Sequence, residues 1–305
     1  MTGIVLVLGA SGLFGSHAAR AFADAGWQVR RYSRGTDMTR AAQGVDVIVN
    51  GLNPPMYHNW AQLIPQITAQ VIAAGLASGA CVIVPGNVYP YGAQPGPWGP
   101  DTPHRPVARK GHIRAAMETQ YQAATRRGLR VILLRGGDYL AADYKGTAMN
   151  SFNLRTAAKG VITLGGAADV PRAYACLPDM ARAAVALADL RASLPAFADL
   201  PFAGLTFSMQ QWRAEMTAQS GRAFRFTAFP WWVMRLLSPF WELARELPEM
   251  RYLYDTPHRM DPGPLDAILP EFALTPLAQV VAEHLSALAI DGSGQRNLDP
   301  NRAVT

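Results

Sequence analysis

The first 32 residues combine an apolar run, three glycines and an amphipathic stretch in an order that few folds can accommodate. Residues 4 to 8 have the pattern of a buried strand, and the apolar periodicity of residues 14 to 25 predicts a helix. Glycines between them allow a tight turn, a close approach of a pyrophosphate to the backbone, and a helix N-terminus aimed at it. We therefore predict a dinucleotide-binding unit. The loop residues expected to contact the ligand are Gly9, Ser11, Gly12, Leu13, Phe14 and Gly15.

The residues after the second predicted strand, 29 to 32, bear on which dinucleotide binds. A carboxylate there binds the ribose hydroxyls of NAD(H) and repels a 2′-phosphate, but this sequence reads VRRYSRG. Arg34, with Ser33 and Arg31, can pair with the 2′-phosphate of NADP(H). Solvated arginines at a strand edge are the alternative interpretation. We predict NADP(H) as the cofactor, with NAD(H) as the second choice.

Apolar runs alternate with helical patterns through the first half of the chain. The predicted strands cover residues 4 to 8, 29 to 32, 45 to 49, 81 to 84 and 131 to 134, and the predicted helices cover 14 to 25, 63 to 76 and 110 to 127. This alternation is typical of βαβ units, so we predict an α/β protein with a doubly wound parallel sheet of the Rossmann type. A strand at 174 to 177 and a helix at 180 to 190 with Asp179 as N-cap predict that the sheet resumes there.

The pattern predicts three regions. Residues 1 to 190 form the NAD(P)-binding domain, with part of the substrate site around 136 to 170; residues 191 to 291 form a smaller C-terminal substrate-binding lobe; and 292 to 305 form a polar tail. Aromatic side chains are concentrated in residues 229 to 254. We expect them to form an apolar lid over the substrate. The alternatives, in order of preference, are part of the core and a membrane-surface face; a dimer surface is a further alternative.

Composition narrows the class of partner. The net charge of +6 comes from scattered Lys and Arg residues without a basic block, which argues against nucleic-acid binding. Cys81 and Cys176 lie in apolar runs with no metal-type spacing, so we predict buried thiols and no metal. The N-terminus does not have the pattern of a signal peptide, and nothing approaches the ~18 apolar residues of a membrane span. We expect a cytoplasmic protein with a small-molecule substrate and a possible homodimer.

Four motifs carry a resemblance to a known family: GASGLFGS, the Ser-Arg pair after the second strand, VDVIVNGLN and PGNVYPYG. With these, the chain resembles the short-chain dehydrogenase/reductase superfamily, and more closely its extended and atypical branches of the epimerase/dehydratase type. The resemblance implies that Asn50, Gly51 and Leu52 line the cofactor. It also implies that Asn87 occupies the place of the catalytic Ser or Thr.

The sequence departs from the family at the YxxxK motif. KGHIRAAME stands in its place, with Lys110 at the Tyr position and Arg114 at the Lys position; helical spacing puts both on one face with Glu118. The pattern is similar to the isoflavone-reductase and NmrA-like group, in which a lysine here serves the chemistry beside NADPH. We predict Lys110 as the group that exchanges a proton with the substrate, a solvated lysine being the alternative.

The remaining candidates surround that lysine. Asn87 is predicted to orient the reacting groups, Tyr89 or Tyr91 are alternative acids, and Arg114 anchors the cofactor or pairs with Glu118. The segment RGGDY resembles the family's LRxxN substrate loop, so Asp138 and Tyr139 are predicted to contact substrate or nicotinamide, a simple turn being the alternative.

Together these features predict an NADP(H)-dependent oxidoreductase acting on a small apolar or aromatic substrate. The alternatives are an enzyme of the sugar-nucleotide epimerase/dehydratase type and a non-catalytic NADP-binding redox sensor. The sensor remains an alternative because the sequence lacks the family's Tyr/Lys pair.

Overall fold

A computed structural model describes residues 2–290 of the chain. The strands are β1 Ile4–Leu8, β2 Gln28–Arg31, β3 Val47–Asn50, β4 Cys81–Gly86, β5 Val131–Arg135, β6 Asp138–Leu140, β7 Val161–Leu164, β8 Arg172–Cys176, β9 Phe197–Pro201, β10 Leu205–Phe207 and β11 Arg225–Ala228. The helices are α1 Leu13–Asp24, α2 Met38–Ala41, α3 Trp60–Ser78, α4 Arg109–Thr125, α5 Leu177–Asp189, α6 Met209–Ser220, α7 Trp231–Leu237, α8 Glu242–Glu246, α9 Tyr252–Asp255, α10 Gly263–Asp266 and α11 Leu277–Ala287. Single-turn helices lie at Pro55–Tyr57, Tyr89–Tyr91, Ala157–Lys159 and Pro248–Met250, and a π-helical turn lies at Met149–Asn153.

The main sheet has six parallel strands in the order β2-β1-β3-β4-β5-β9. Val5 pairs with Val29 on one side and with Val47 on the other, so β1 lies between β2 and β3. The chain therefore reverses its direction of winding after β2. Ligands of such sheets bind outside the carboxyl ends of the strands at this reversal point. The predicted doubly wound α/β fold is confirmed.

Apolar residues cover both faces of the central strands, as a parallel sheet buried between helices requires. Val5 and Val7 of β1 pack with α1 and α5 on one face. Leu6 and Leu8 pack with α3 and α4 on the other. Because side chains alternate along a strand, one short apolar run contributes to two cores.

The predicted strand at 174 to 177 corresponds to β8, but it does not continue the main sheet. It lies in a three-stranded sheet, antiparallel to β10 and parallel to β6. Instead, β9 pairs with β5 and completes the main sheet. The predicted division at residue 190 assigns β9 to the smaller lobe, whereas its pairing places it in the sheet that carries the glycine loop.

The helix after β8 begins earlier than the sequence predicts. Cys176 is the N-cap of α5, and Pro178 occupies its first turn, where a missing N–H is tolerated. Asp179 is therefore not an N-cap. Its carboxylate instead accepts hydrogen bonds from the backbone N and Oγ1 of Thr275, at 2.7 and 2.8 Å, and ties α5 to the C-terminal segment.

The C-terminal elements form their own core. α6 packs against α11, and Trp212, Phe207 and Met216 are buried between them and the three-stranded sheet. The predicted polar tail at 292 to 305 lies outside the described residues. Between residues 2 and 290 no helix is long and apolar enough to cross a membrane.

Candidate functional site at the carboxyl edge of the sheet

The glycine loop has the close packing that its spacing predicts. Gly9 has φ +69, and a Cβ on it would lie 2.8 Å from the carbonyl oxygen of Gly51. A Cβ on Gly12 would lie 3.1 Å from the Gly9 carbonyl oxygen, and one on Gly15 would overlap that oxygen. Gly12 is the N-cap of α1 and supplies no side-chain acceptor. The N–H groups of the first helical turn are therefore left to face a ligand.

The end of β3 lies against this loop. Gly51 donates a backbone hydrogen bond of 3.0 Å to the Leu8 carbonyl, and a Cβ on Gly51 would lie 3.0 Å from Gly15 Cα. The side chain of Asn50 is buried and donates to the Tyr121 hydroxyl at 3.1 Å, while its Oδ1 accepts from Leu52 N at 3.3 Å. Asn50 therefore fixes the turn after β3 and joins it to α4. A contact of these three residues with a cofactor stays a prediction.

The loop after β2 leaves its predicted phosphate ligands in solvent. Arg31, Ser33 and Arg34 are exposed. In the same loop Asp37 is the N-cap of α2, and its carboxylate accepts from Arg40 N at 3.1 Å. The loop therefore carries a carboxylate as well as arginines. Arg31 and Arg34 are solvated, as in the alternative interpretation of the sequence.

Lys110 is engaged in a buried ion pair. Its side chain is 1% exposed, and its Nζ donates to Glu246 Oε2 at 2.6 Å and to Glu249 Oε1. The same Nζ lies 4.8 Å from the centre of the Tyr57 ring. Burial opposes the charge of Glu246, yet the hydrogen bond from Lys110 lowers the pKa of Glu246 below its ordinary value. Lys110 thus holds two carboxylates of the C-terminal segment, and its sequence-based role as a proton-exchanging group stays a prediction.

Glu118 pairs with Arg135 and not with Arg114. Both guanidinium Nη atoms of the fully buried Arg135 donate to Glu118, at 2.9 Å each, and Nη2 also donates to Asp199 at 2.8 Å. A further bond of 2.8 Å runs from Nη1 to the Asn87 carbonyl. This network joins α4, β5, β9 and the turn after β4. The network therefore holds the carboxyl edge of the sheet in place.

Arg114 has a different environment. It is buried, its guanidinium carbon lies 4.6 Å from the centre of the Trp60 ring, and Nη2 donates to Asn53 Oδ1 at 2.6 Å. Nη1 has only the Met117 sulfur, at 3.4 Å, and Nε has no partner among residues 2–290. No carboxylate of the described chain lies within ion-pair distance of Arg114. Burial lowers the pKa of Arg114, as expected for a cation without a counter-ion.

Three tyrosines lie around Arg114, and we name Tyr57, Tyr89 and Tyr139 the phenol group. The hydroxyls of Tyr57 and Tyr89 lie 3.2 Å apart, and the Tyr89 ring stacks on Trp60. Tyr139 Oη lies 3.5 Å from the Gly86 carbonyl, at the end of β4. Burial raises the pKa of Tyr57 and Tyr89 well above the usual value for a phenol and raises the pKa of Tyr139 to about 12. All three are therefore protonated near neutral pH.

Two other predicted residues serve the turn after β4. Asn87 Oδ1 accepts from Tyr89 N at 3.1 Å, which holds the turn that presents Tyr89. Tyr91 is buried and donates to the Gly99 carbonyl at 3.0 Å. Of the two predicted alternative acids, Tyr89 thus belongs to the phenol group, whereas the Tyr91 hydroxyl is hydrogen-bonded to the backbone.

Asp138 forms an ion pair of 2.9 Å with Arg172. The guanidinium of Arg172 lies 4.6 Å from the ring centre of Tyr254 and 5.1 Å from that of Tyr174. Asp138 and Tyr139 are adjacent on β6, so the predicted substrate residues extend the phenol group towards the C-terminal lobe. Whether they contact a substrate stays a prediction.

Sequence reasoning did not assign several side chains of this region to the site individually. They come from separate parts of the chain and meet only in the fold: Tyr57, Trp60, Arg172, Tyr252 and Tyr254. The position of Tyr57 shortly after β3 is the one useful clue, because residues that follow strand ends gather at this edge. The partners of Lys110 are separated from it by more than 130 residues and carry no such clue.

The six-stranded sheet and the glycine loop at its reversal point define a Rossmann-type α/β protein. The sequence matches no family model and no curated protein. Among solved structures, the chain is similar to MoeE5 in complex with UDP-glucose and NAD, at 17% identity and a TM-score of 0.76 over 93% of this chain and 98% of that one. It is also similar to the UDP-glucose 4-epimerase of Brucella ovis in complex with NAD, at 16% identity and a TM-score of 0.70 over 96% and 98%.

A third similar structure is TunA, an NAD-dependent NDP-hexosamine 5,6-dehydratase involved in tunicamycin biosynthesis. Its identity is 15% and its TM-score 0.71 over 94% of this chain and 97% of that one. The chain therefore shares the Rossmann-type fold of these epimerase and dehydratase structures. The family resemblance stated from the motifs is confirmed at the level of the fold.

The prediction of NADP(H) is wrong. The structures of MoeE5 and of the Brucella ovis epimerase contain NAD, and TunA is described as NAD-dependent. The charge of the loop after β2 was a poor guide to the cofactor: Arg31 and Arg34 are exposed, and the same loop also carries the Asp37 carboxylate, which caps α2.

Proposed function

We propose that this protein binds NAD(H) across the carboxyl edge of its main sheet and acts on a nucleotide-linked sugar, as an enzyme of the epimerase/dehydratase type. The observation that carries the proposal is the environment of Arg114. Within residues 2–290 the buried Arg114 guanidinium has no carboxylate at ion-pair distance, and its Nε has no hydrogen-bond partner. Burying such a group costs free energy unless an anionic or hydroxyl-rich ligand supplies the missing partners.

The residues at this edge fit a dinucleotide. Gly12 and Gly15 let the loop pack closely against the first turn of α1, because side chains at either position would approach or overlap the Gly9 carbonyl. The N–H groups of that turn are then available to a pyrophosphate. Arg114 is bonded to Asn53, which follows Gly51 closely in sequence. The loop and the guanidinium therefore border one continuous site. Asp37 suits the unphosphorylated ribose of NAD(H).

When bound, NAD(H) supplies the hydride exchange at a substrate carbon. The protein must then move a proton at the adjacent oxygen, and Tyr89 is the group we assign to that task. In the oxidative direction Tyr89 must act as the phenolate that accepts the proton of the sugar hydroxyl, and in the return direction the protonated phenol gives that proton back to the carbonyl oxygen. Its raised pKa favours the protonated form between the two steps. Tyr57, at 3.2 Å, can share the proton, and the positive charge of Arg114 lowers the free energy of the phenolate left behind.

The substrate class is proposed from the wall of the site together with the fold. Phenol rings offer flat apolar faces and hydroxyl edges, a combination that suits a sugar ring. Tyr139 and Tyr254 extend this wall beyond Tyr89 towards the C-terminal lobe. The similar structures of MoeE5 and of the Brucella ovis protein are described with a nucleotide sugar or as a nucleotide-sugar epimerase.

A second candidate is a protein that binds NAD(H) without turning over a substrate. It is favoured by one observation, namely that the residue at the family's Tyr position, Lys110, is an ion-paired structural group. The two candidates share the cofactor site and differ only in the role of the phenol group.

The test is to incubate the NAD-loaded protein with a panel of UDP- and dTDP-linked sugars and to follow the anomeric signals by NMR. The proposal expects an epimerised or dehydrated product with at least one sugar, and its loss in Tyr89→Phe with NAD(H) binding retained. Tyr144→Phe is the matched control, since this tyrosine lies outside the phenol group. NAD(H) binding with no product from any sugar would favour the second candidate.

A further inference from the structure

The aromatic stretch predicted as a lid is exposed along one side. Phe240 is 90% exposed, Trp232 68% and Leu236 67%, and Trp241 and Leu237 are also exposed. We name these five residues the apolar tip. Trp232 and Leu236 are four residues apart on α7 and so share one face, and the remaining residues follow directly in the chain. Large apolar side chains this exposed and this close together mark an interaction surface.

The opposite face of α7 anchors the tip to the fold. Trp231 is buried, its indole Nε1 donates to the Gly165 carbonyl at 2.8 Å, and its ring packs edge-on against Phe229. Met234 is buried on the same side. The helix thus has one apolar face that the protein covers and a second apolar face that it leaves open. The second face is not needed for the core.

The charges around the tip point to the kind of partner. The three glutamates of residues 242 to 249 all have partners within the fold. Glu242 binds His58 at 2.8 Å and Asn59 N at 3.1 Å and stays partly exposed, whereas Glu246 and Glu249 bind both Lys110 and Arg109. The charges of Glu246 and Glu249 are therefore compensated within the fold.

The arginines of the same region differ: Arg245 pairs with Glu246 at 3.2 Å, and the Arg251 guanidinium lies 5.8 Å from the centre of the Trp231 ring. Arg235 and Arg251 are exposed and have no carboxylate within 4.0 Å in the described part of the chain. Arg235 lies within α7, between Trp232 and Leu236, so one helix presents both apolar and cationic groups. An apolar surface with tryptophan, phenylalanine and free arginines complements a membrane surface of anionic lipids.

We propose that the apolar tip, with Arg235 and Arg251, docks the protein onto an anionic lipid bilayer, inserting Trp232, Leu236 and Phe240 at the headgroup level. A second copy of the chain fits the surface less well. A two-fold pairing of this patch would bring the arginines of one copy against those of the other.

The test is cosedimentation of the full-length protein with mixed phosphatidylcholine and phosphatidylglycerol vesicles, compared with vesicles of phosphatidylcholine alone. The proposal expects binding to the anionic vesicles that weakens with added salt. Arg235→Glu should weaken it more than tenfold, because the change removes one positive charge and adds one negative charge next to an anionic surface. The double variant Trp232→Ser and Phe240→Ser should reduce it at least as much.

Matched controls separate the tip from general effects. Leu190→Ser removes an exposed apolar residue on α5's C-terminal side, and Arg126→Glu reverses an exposed charge just after α4; both should bind like the unmodified protein. Thermal melting should be unchanged in the tip variants, since the altered side chains are exposed. The proposal is overturned if no vesicle binds, if the tip variants bind normally, or if sedimentation velocity shows that the tip instead holds a dimer.

Discussion

The ammonium group of Lys110 lies 2.6 Å from the carboxylate of Glu246 and so joins the start of α4 to the C-terminal segment that covers it. Glu249 binds the same ammonium from the next turn of the chain. The position that carries the phenolic acid in the resembled family is thus occupied by a structural cation. The proposed function therefore assigns proton transfer to the phenol of Tyr89 instead of Lys110.

Replacing Lys110 should destabilise the protein without removing its cofactor site. Lys110→Met removes the buried cation that Glu246 and Glu249 share and leaves them only the exposed Arg109 and Arg245, and the loss of one partner of a buried pair costs about 3 kcal/mol. Urea unfolding measures this difference. Arg126→Met, at an exposed position without an ion pair in the described part of the chain, should cost less than about 1 kcal/mol. A Lys110→Met protein of unchanged stability that has lost all turnover would restore the catalytic role predicted from the sequence.

The same ion pair predicts a dependence of stability on pH. Burial opposes ionisation of Glu246, but the hydrogen bond from Lys110 outweighs it and lowers the pKa of Glu246 in the folded state. A carboxylate with a lowered folded-state pKa contributes stability above its unfolded pKa, and that contribution is lost as the pH falls through the folded-state pKa. Urea unfolding between pH 7 and pH 3 should therefore show a smaller decline for Glu246→Gln than for the unmodified protein. The exposed Glu271→Gln variant should follow the unmodified curve; identical slopes for all three proteins would refute the assignment.

A methyl group at Gly15 should disturb the cofactor loop. The Cβ of Gly15→Ala would overlap the Gly9 carbonyl oxygen, so the loop must move away from the geometry that receives the diphosphate. We expect NAD⁺ affinity to fall by more than about tenfold, a loss of roughly 1.4 kcal/mol. In Gly263→Ala the added Cβ meets nothing closer than 3.4 Å, and affinity should be unchanged. Fluorescence titration with NADH measures both, and normal affinity in Gly15→Ala would show that the loop does not bind the diphosphate.

The two cysteines should be unreactive in the native protein. Burial raises the pKa of Cys81 to about 11 and the pKa of Cys176 to about 12, so almost no thiolate is present at pH 8. Iodoacetamide at pH 8 should label neither residue until urea unfolds the chain, as mass spectrometry of the intact protein can show. Rapid labelling of either thiol in the native state would contradict its burial.

Removing the Tyr89 hydroxyl should abolish most turnover once a substrate is found. A positioned proton donor contributes roughly 10²- to 10⁴-fold, and we expect Tyr89→Phe to lower kcat within that range. Tyr57→Phe should have a smaller effect, because its hydroxyl acts through Tyr89. Equal kcat values for Tyr89→Phe and Tyr144→Phe would exclude Tyr89 as the acid.

The main sheet and the glycine loop were predictable because their determinants are local. β1 and its loop lie within fifteen residues, and the apolar strands buried on both faces produce continuous runs that are visible in the sequence. The position of β8 outside the main sheet was not predictable. Its apolar run is equally compatible with either sheet, and only the pairing with β10 and β6 distinguishes them.

The candidate site was less predictable because its partners are distant in sequence. Lys110 and Arg114 are one helical turn apart and look alike in sequence, yet one meets two glutamates from the C-terminal lobe and the other meets an indole ring and an amide. Arg34 illustrates the same limit. Its charge suggested a phosphate ligand, but charge alone does not tell whether a side chain faces a ligand or solvent.

The central claim is that the carboxyl edge of the sheet binds NAD(H), and calorimetric titration of the unmodified protein with NAD⁺ and NADP⁺ tests it most directly. We predict one NAD⁺ per chain, weaker binding of NADP⁺, and a clear loss of NAD⁺ affinity in Arg114→Gln with the folded state retained. Failure of both dinucleotides to bind, or tighter binding of NADP⁺ than of NAD⁺, would contradict the account.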